Sequence, residues 1–207
     1  MAYFSNKDIS ELNHFYKINL INSCSGYKSA NLIGTKSANG ISNVAIFSSV
    51  IHLGSEPALL GFILRPATVT RNTYENIKET GVYTINHVHQ AIIEDAHHTS
   101  AKYESSISEF DMTALEEAYL NNLYAPYVKN APVQIAMNYV EEYPIKENGT
   151  ILLVGEIQHL NINDHLLKDD GFVNLLEANV VAINGLDSYT VPMSHTRLAY
   201  QRPKKSS

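Results

Sequence analysis

The Asn-Gly dipeptides at Asn39-Gly40 and Asn148-Gly149 each lie between two runs of strand-forming residues. Asn and Gly tolerate the positive φ of a tight reversal, so each pair is a strong local signal for an antiparallel hairpin. The first joins residues 28–35 to 41–48. The second joins Val133, Ile135, Met137 and Tyr139, which alternate with mostly polar neighbours, to a similar run through Ile151, Leu153 and Ile157. Alternation of this kind marks half-buried strands. Residues 18–24, 58–64, 82–88 and 179–183 read as further strands. So many strands with tight turns predict a β-barrel or sandwich with helices at its periphery. The chain shows neither the strand–helix alternation of a doubly wound sheet nor G-x-G-x-x-G, which argues against a Rossmann-type dinucleotide site.

The expected helices are few and short. Asn72 is placed to cap a helix carrying Glu75 in its first turn, Lys78 in its last and Gly81 as its stop. Residues 90–98 form a weaker pattern. Thr113 and Glu116 have capping-box spacing ahead of Leu115, Ala118 and Tyr119.

The 207 residues are expected to form one domain, with a frayed tail from about residue 200. A 44% hydrophobic content suffices for a sizeable core. The formal charge of −6 argues against a nucleic-acid binder, yet a small phosphate needs only local positive charge. Cys24 is the sole cysteine, so no intrachain disulfide can form, which fits a reducing compartment. No basic segment followed by an apolar run opens the chain, and no stretch approaches the roughly 20 apolar residues of a membrane span. A cytoplasmic protein without a membrane partner is the expectation.

Chemistry concentrates between Asn31 and Asn86. Asn43, Ser48 and Ser49 set amide and hydroxyl groups into an otherwise apolar strand. Beyond the strand at 58–64, Arg65, Thr68, Thr70, Arg71, Asn72 and Thr73 surround a predicted helix start. Unpaired backbone N–H groups and the helix dipole favour an anion there, and guanidinium groups suit phosphate. The pattern alone leaves a second reading open, in which Asn72 merely caps a surface helix and both arginines are solvated.

Five pieces in order, Asn31-Leu32-Ile33-Gly34-Thr35, residues 39–49, Pro57 to Arg65-Pro66, residues 71–77 and Tyr83-Thr84-Ile85-Asn86, resemble the flavin reductase-like family. The resemblance continues more loosely through Ser108-Glu109-Phe110, residues 132–156 and the segment from Tyr189 to Tyr200. It implies a mainly β, mixed β/α fold: a Greek-key-like split β-barrel over 1–207, usually a homodimer, that binds FMN. It further implies that Asn43, Ala45, Phe47, Ser48 and Ser49 line the isoalloxazine and ribityl chain, while Arg65, Thr70, Arg71, Asn72 and Thr73 surround the phosphate. Members that act as reductases take hydride from NADH or NADPH at the flavin N5, so no catalytic side chain is expected. An electron-transfer flavoprotein of the flavoredoxin kind, holding FMN without oxidising nicotinamide, is the alternative.

Other residues carry plainer readings. His87, His89, His97 and His98 have spacings seen in metal sites but no partnering Cys or H-E-x-x-H, so no metal is expected. His97 or His98 is a candidate for the cleft wall. His52 and His195 read as packing or hydrogen-bonding residues, and Cys24 as a small strand residue. Tyr119, Tyr124 and Tyr127 read as packing, with a lid that also uses Tyr103 as the other possibility.

Overall fold

The computed structural model describes residues 1–66 and 71–203. Two short helices, α1 (Asn6–Glu11) and α2 (His14–Cys24), precede the strands. Then come β1 (Lys28–Ser29), β2 (Asn31–Lys36), β3 (Ser42–Phe47), β4 (Ile51–Ser55) and β5 (Ala58–Leu64). Helix α3 (Asn72–Thr80) leads to β6 (Val82–His87), and a 3-10 turn at Gln90–Ile92 runs into α4 (Ile93–His98). The short pair β7 (Glu117–Ala118) and β8 (Tyr127–Val128) follows, then the long β9 (Val133–Ile145) and β10 (Thr150–Ile162), and finally β11 (Ala182–Asn184) and β12 (Ser188–Thr190).

Seven strands form one antiparallel sheet in the order β3-β2-β6-β9-β10-β5-β4. Both predicted hairpins are present. Strand β2 pairs with β3 from Asn31–Phe47 to Lys36–Ser42, with Gly40 at φ +88° in the reversal. Strand β9 pairs with β10 from Val133–Ile162 to Ile145–Thr150, with Gly149 at φ +71°. The edge strands β3 and β4 are joined only by residues 48–50, which brings the two edges together and rolls the sheet toward a barrel. Ser49 secures the seam: its hydroxyl accepts from Ile63 N and donates to Ile63 O, both at 3.1 Å, in place of a strand partner.

The period of two divides the strand residues between two cores. Ile33 and Ile85 join Phe62, Leu64, Ile77, Tyr83, Met137 and Leu153 on one side. There Phe47, Phe62 and Tyr83 pack edge to face, with centroids 5.1 and 5.7 Å apart. Leu32 and Val44 turn the other way, toward Val88, Ala96, Phe110, Val128 and Ile183. Both faces of β2 are therefore covered, which is why its residues 31–35 are all buried.

Some expectations fail. Residues 18–24 belong to helix α2, so Cys24 ends a helix rather than sitting in a strand. The Asn13 side chain starts that helix by accepting from Phe15 N, and Asn22 and Ser23 bond back to the carbonyls of Ile18 and Asn19. None of its residues is buried, so nothing demands a sheet partner. Residues 113–119 form no helix. Thr113 Oγ1 donates back to Glu109 O, Glu116 pairs with Lys129, and Glu117–Ala118 pairs with β8, so one local bond and two longer-range pairings replace the capping box. The run 28–35 is split: β1 pairs with β11, and β2 with β3 and β6. The strand expected at 179–183 begins later, at Ala182–Asn184, because Asn179 adopts φ 50° and turns the chain before it, and the final strand β12 follows.

Gly34 is required by space. A Cβ there would overlap the Pro126 carbonyl oxygen and lie 2.6 Å from Thr84 Oγ1, which itself donates to Pro126 O. Gly34→Ala is expected to lower unfolding free energy by about 1–3 kcal/mol in chemical denaturation, the usual penalty for overpacking a tight site.

Candidate functional site

A cleft of about 800 Å³ opens where β3, the end of β5, the start of α3 and residues 99–105 meet. Asn43, Ala45, Phe47, Ser48 and Ser49 line one wall, Arg65 follows β5, and Arg71, Asn72 and Thr73 stand at the start of α3. Every predicted site residue within the described part of the chain thus faces one space. Thr70, with Thr68, lies outside the described residues.

The wall is the edge strand β3, whose outward backbone groups have no strand partner. Val44 N donates instead to Glu109 Oε2 at 3.1 Å. Two residues on, Ile46 turns its outward N–H and C=O the same way, toward the cleft. Ala45, Phe47 and Ile63 supply apolar lining to the cleft. The Ser49 hydroxyl is committed to Ile63, so this residue shapes the cleft while its hydroxyl closes the seam.

Helix α3 is held against the hairpin by two buried pairs. Asn43 Nδ2 donates to Thr73 Oγ1, and Asn76 Nδ2 to Thr35 Oγ1, both at 3.1 Å. Asn72, expected as the cap, is the first helical residue; Arg71 takes the cap position in an extended conformation and makes no side-chain capping bond. The structure departs from the prediction because Thr73 and Asn76 must face the sheet, which sets where the helix begins. The first N–H groups of α3 therefore lack a side-chain acceptor from the cap, and Arg71 Nε is buried without a hydrogen-bond partner among the described residues. An uncapped helix start beside a guanidinium N–H that has no partner among the described residues is an arrangement able to hold an anion.

The segment 99–105, Glu109, Leu186 and Asn22 also line the cleft, and of these only Tyr103, through the lid alternative, was singled out in the sequence as a cleft residue. Ser108-Glu109-Phe110 was the one usable signal among them; the rest arrive by tertiary folding. Tyr103 reaches the cleft, with its hydroxyl 2.6 Å from His98 Nε2. Tyr119 and Tyr124 instead flank Lys36, whose Nζ lies 4.6 and 5.4 Å from their ring centroids, and Tyr127 is fully buried in the core. Tyr127 thus packs in the core, Tyr119 and Tyr124 hold Lys36 at the exposed surface, and Tyr103 alone of the four stands at the cleft.

The family's sequence profile, described as a flavin reductase like domain, matches residues 27–186. The chain belongs to the flavin reductase-like family. This flavin reductase-like protein is similar over 97% of its length to a crystal structure from Shewanella frigidimarina NCIMB 400, which has a split barrel domain and the provisional designation flavin reductase. That match covers 100% of the other chain at 44% identity, with a TM-score of 0.94. Nitrilotriacetate monooxygenase component B from Bacillus cereus is 17% identical with a TM-score of 0.84, over 96% of this chain and 98% of that one. Flavoredoxin of Desulfovibrio vulgaris (Miyazaki F) is 22% identical with a TM-score of 0.73, over 84% and 91%. The last two share the fold. Among the described residues, no helix is long and apolar enough to cross a membrane.

Burial raises the Glu109 carboxyl above its ordinary range, outweighing the downward pull of its own backbone N–H and that of Val44. The folded chain then holds this proton more firmly than the unfolded chain does. Its stability falls as pH rises from the unfolded value through the folded one. Glu109→Gln keeps an acceptor for Val44 and abolishes that loss. The melting temperature of the variant relative to the native chain is expected to climb as the pH rises above about 4, the ordinary carboxylate value. A difference that stays constant across this range would show that Glu109 does not titrate in this way.

Proposed function

We propose that the cleft binds FMN and that the protein is an NAD(P)H-dependent flavin oxidoreductase, acting as a cytoplasmic homodimer. The observation that carries this reading is the pairing of an uncapped α3 start with the buried Arg71 Nε, unpartnered among the described residues, in a cleft that Ala45, Phe47 and Ile63 also line. A phosphate supplies the missing acceptor, and the family fits that phosphate to a flavin. Arg71, with the backbone N–H groups of Asn72 and Thr73, holds the phosphate, and Thr70 belongs to the same proposed cluster. Asn43, Ala45, Phe47, Ser48 and Ser49 form the wall for the ring and ribityl chain, and outward backbone groups of β3 address the polar edge of the ring.

FMN, when bound, supplies the hydride-accepting chemistry. The protein's part is to orient the ring against β3, exclude water with Phe47 and Ile63, and leave one face open to a nicotinamide. The exposed, unpaired Cys24 is consistent with a reducing compartment. Ile51 and Leu53, exposed on the edge strand β4, support association with a second copy.

Anaerobic titration of the FMN-loaded protein with NADH and with NADPH tests the reading. Bleaching of the flavin absorbance by at least one of them is the expected outcome. A stable yellow protein that neither bleaches would instead be an electron-transfer flavoprotein, and a protein that does not bind FMN would overturn both. Arg71→Ala is expected to weaken FMN by about 1.5–3 kcal/mol, the worth of a charged hydrogen bond, and riboflavin far less. Equal losses for both ligands would remove Arg71 from the phosphate.

A further inference from the structure

Three Asn-Gly steps occur in the chain, at Asn39-Gly40, Asn148-Gly149 and Asn184-Gly185. Each is intrinsically labile, because glycine has no side chain to shield its nitrogen from the amide of the preceding asparagine. All three glycines hold positive φ, at +88°, +71° and +69°. Glycine conformation therefore does not distinguish them, whereas the surroundings of each asparagine do.

At the tip of the β2–β3 hairpin, Ala38, Asn39, Gly40 and Ile41 are all exposed. The Asn39 side chain makes no hydrogen bond among the described residues, and a Cβ at Gly40 would meet no atom within 4 Å. The restraint on this step is the Gly40 N–H, which donates to Ser37 O at 2.9 Å. A backbone bond in an exposed turn opens at small cost.

The matching step in the β9–β10 hairpin is held more firmly. Gly149 N–H donates to Ile145 O, also at 2.9 Å, so the backbone restraint is equal. In addition, Asn148 Oδ1 accepts from Thr150 N at 3.0 Å and from Thr150 Oγ1 at 2.7 Å. Pro66 lies 3.6 Å from where a Gly149 Cβ would stand, so this turn is also packed against. Asn184 ends strand β11, where it pairs with Ser188 of β12; its Oδ1 is buried and so is Gly185. Ring closure there would disrupt the sheet pairing, and little water reaches the amide.

We infer that Asn39 is a site of spontaneous deamidation, the one of the three Asn-Gly steps that the fold leaves open. Gly40 N, giving up its proton to solvent, attacks Asn39 Cγ; the side-chain nitrogen leaves as ammonia and a succinimide closes. Water then opens the ring to aspartate or isoaspartate, with no change in oxidation state. Either product sets a carboxylate beside Ala38, whose N–H donates to Glu79 Oε2 at 3.0 Å. Isoaspartate also adds a backbone methylene to the reversal that sets the β2–β3 register, so it disturbs the hairpin more than the charge alone does.

Peptide mapping by mass spectrometry of the full chain, aged in mildly alkaline buffer, reads all three steps in one sample. Asn39 is expected to convert about tenfold or more faster than Asn148, which must first give up two hydrogen bonds, and Asn184 to stay intact. Thr150→Ala removes one of those bonds and is expected to raise the Asn148 rate about fivefold while leaving Asn39 unchanged. The same chain held unfolded in denaturant is expected to lose the ranking, because the three steps then differ little. Asn39 staying intact in the folded chain, or Asn148 or Asn184 converting as fast as Asn39 there, overturns the assignment. A ranking that survives unfolding overturns it too, since the fold would then not be its cause.

Discussion

The cleft depends on two hydrogen bonds buried between a helix and a hairpin. Asn43 to Thr73 and Asn76 to Thr35 join polar side chains that are almost wholly out of water, where an unpaired amide or hydroxyl would cost roughly 1–3 kcal/mol. Each group therefore fixes its partner's position. Because Thr73 and Asn76 lie on one face of α3, the two bonds orient the helix as well as anchor it. Its first turn is held beside the edge of β3, with the cap position left to Arg71. A helix free to choose its own start would have used Asn72 as a conventional cap, and its N–H groups would not have been left for a ligand.

The edge strand that makes the other wall is equally constrained. An exposed edge is ordinarily blunted or covered, since its free N–H and C=O groups invite pairing with other chains. Here the covering is partial. Glu109 takes Val44 N, and Ser42 is tied to Ser108 and Glu117, so the first half of β3 is closed off by the 108–117 segment. The second half turns away at residues 48–50 to begin β4, with Ser49 sealing the seam against β5. Between the two closures, the strand around Ile46 faces open space. The cleft uses that gap.

Legibility in the sequence followed the range of the interactions involved. Both hairpins could be read because an Asn-Gly reversal and a period-two pattern are local properties. Ala58–Leu64 was legible for the same reason. Residues 18–24 misled because Ile18, Leu20 and Ile21 suit either a strand or a helix, and on an exposed segment local side-chain bonds decide. Thr113 and Glu116 have the spacing of a capping box, but Thr113 bonds back to the Glu109 carbonyl while Lys129 and β8 engage Glu116 and residues 117–118 from further along the chain. Tyr103 was marked only through the lid alternative, and Lys102 carried no local mark at all.

By itself the sequence determined the hairpins, the mainly antiparallel architecture, and the cluster of hydroxyl, amide and guanidinium groups between Asn43 and Thr73. These follow from backbone preferences and from residue types close together along the chain. Tertiary structure alone decided that Arg71 rather than Asn72 precedes the helix, that Ser49 spends its hydroxyl on the barrel seam, and that Glu109 crosses over to Val44. Those outcomes turn on which buried polar groups find partners, and partners separated by tens of residues are chosen only when the sheet rolls and the helix docks.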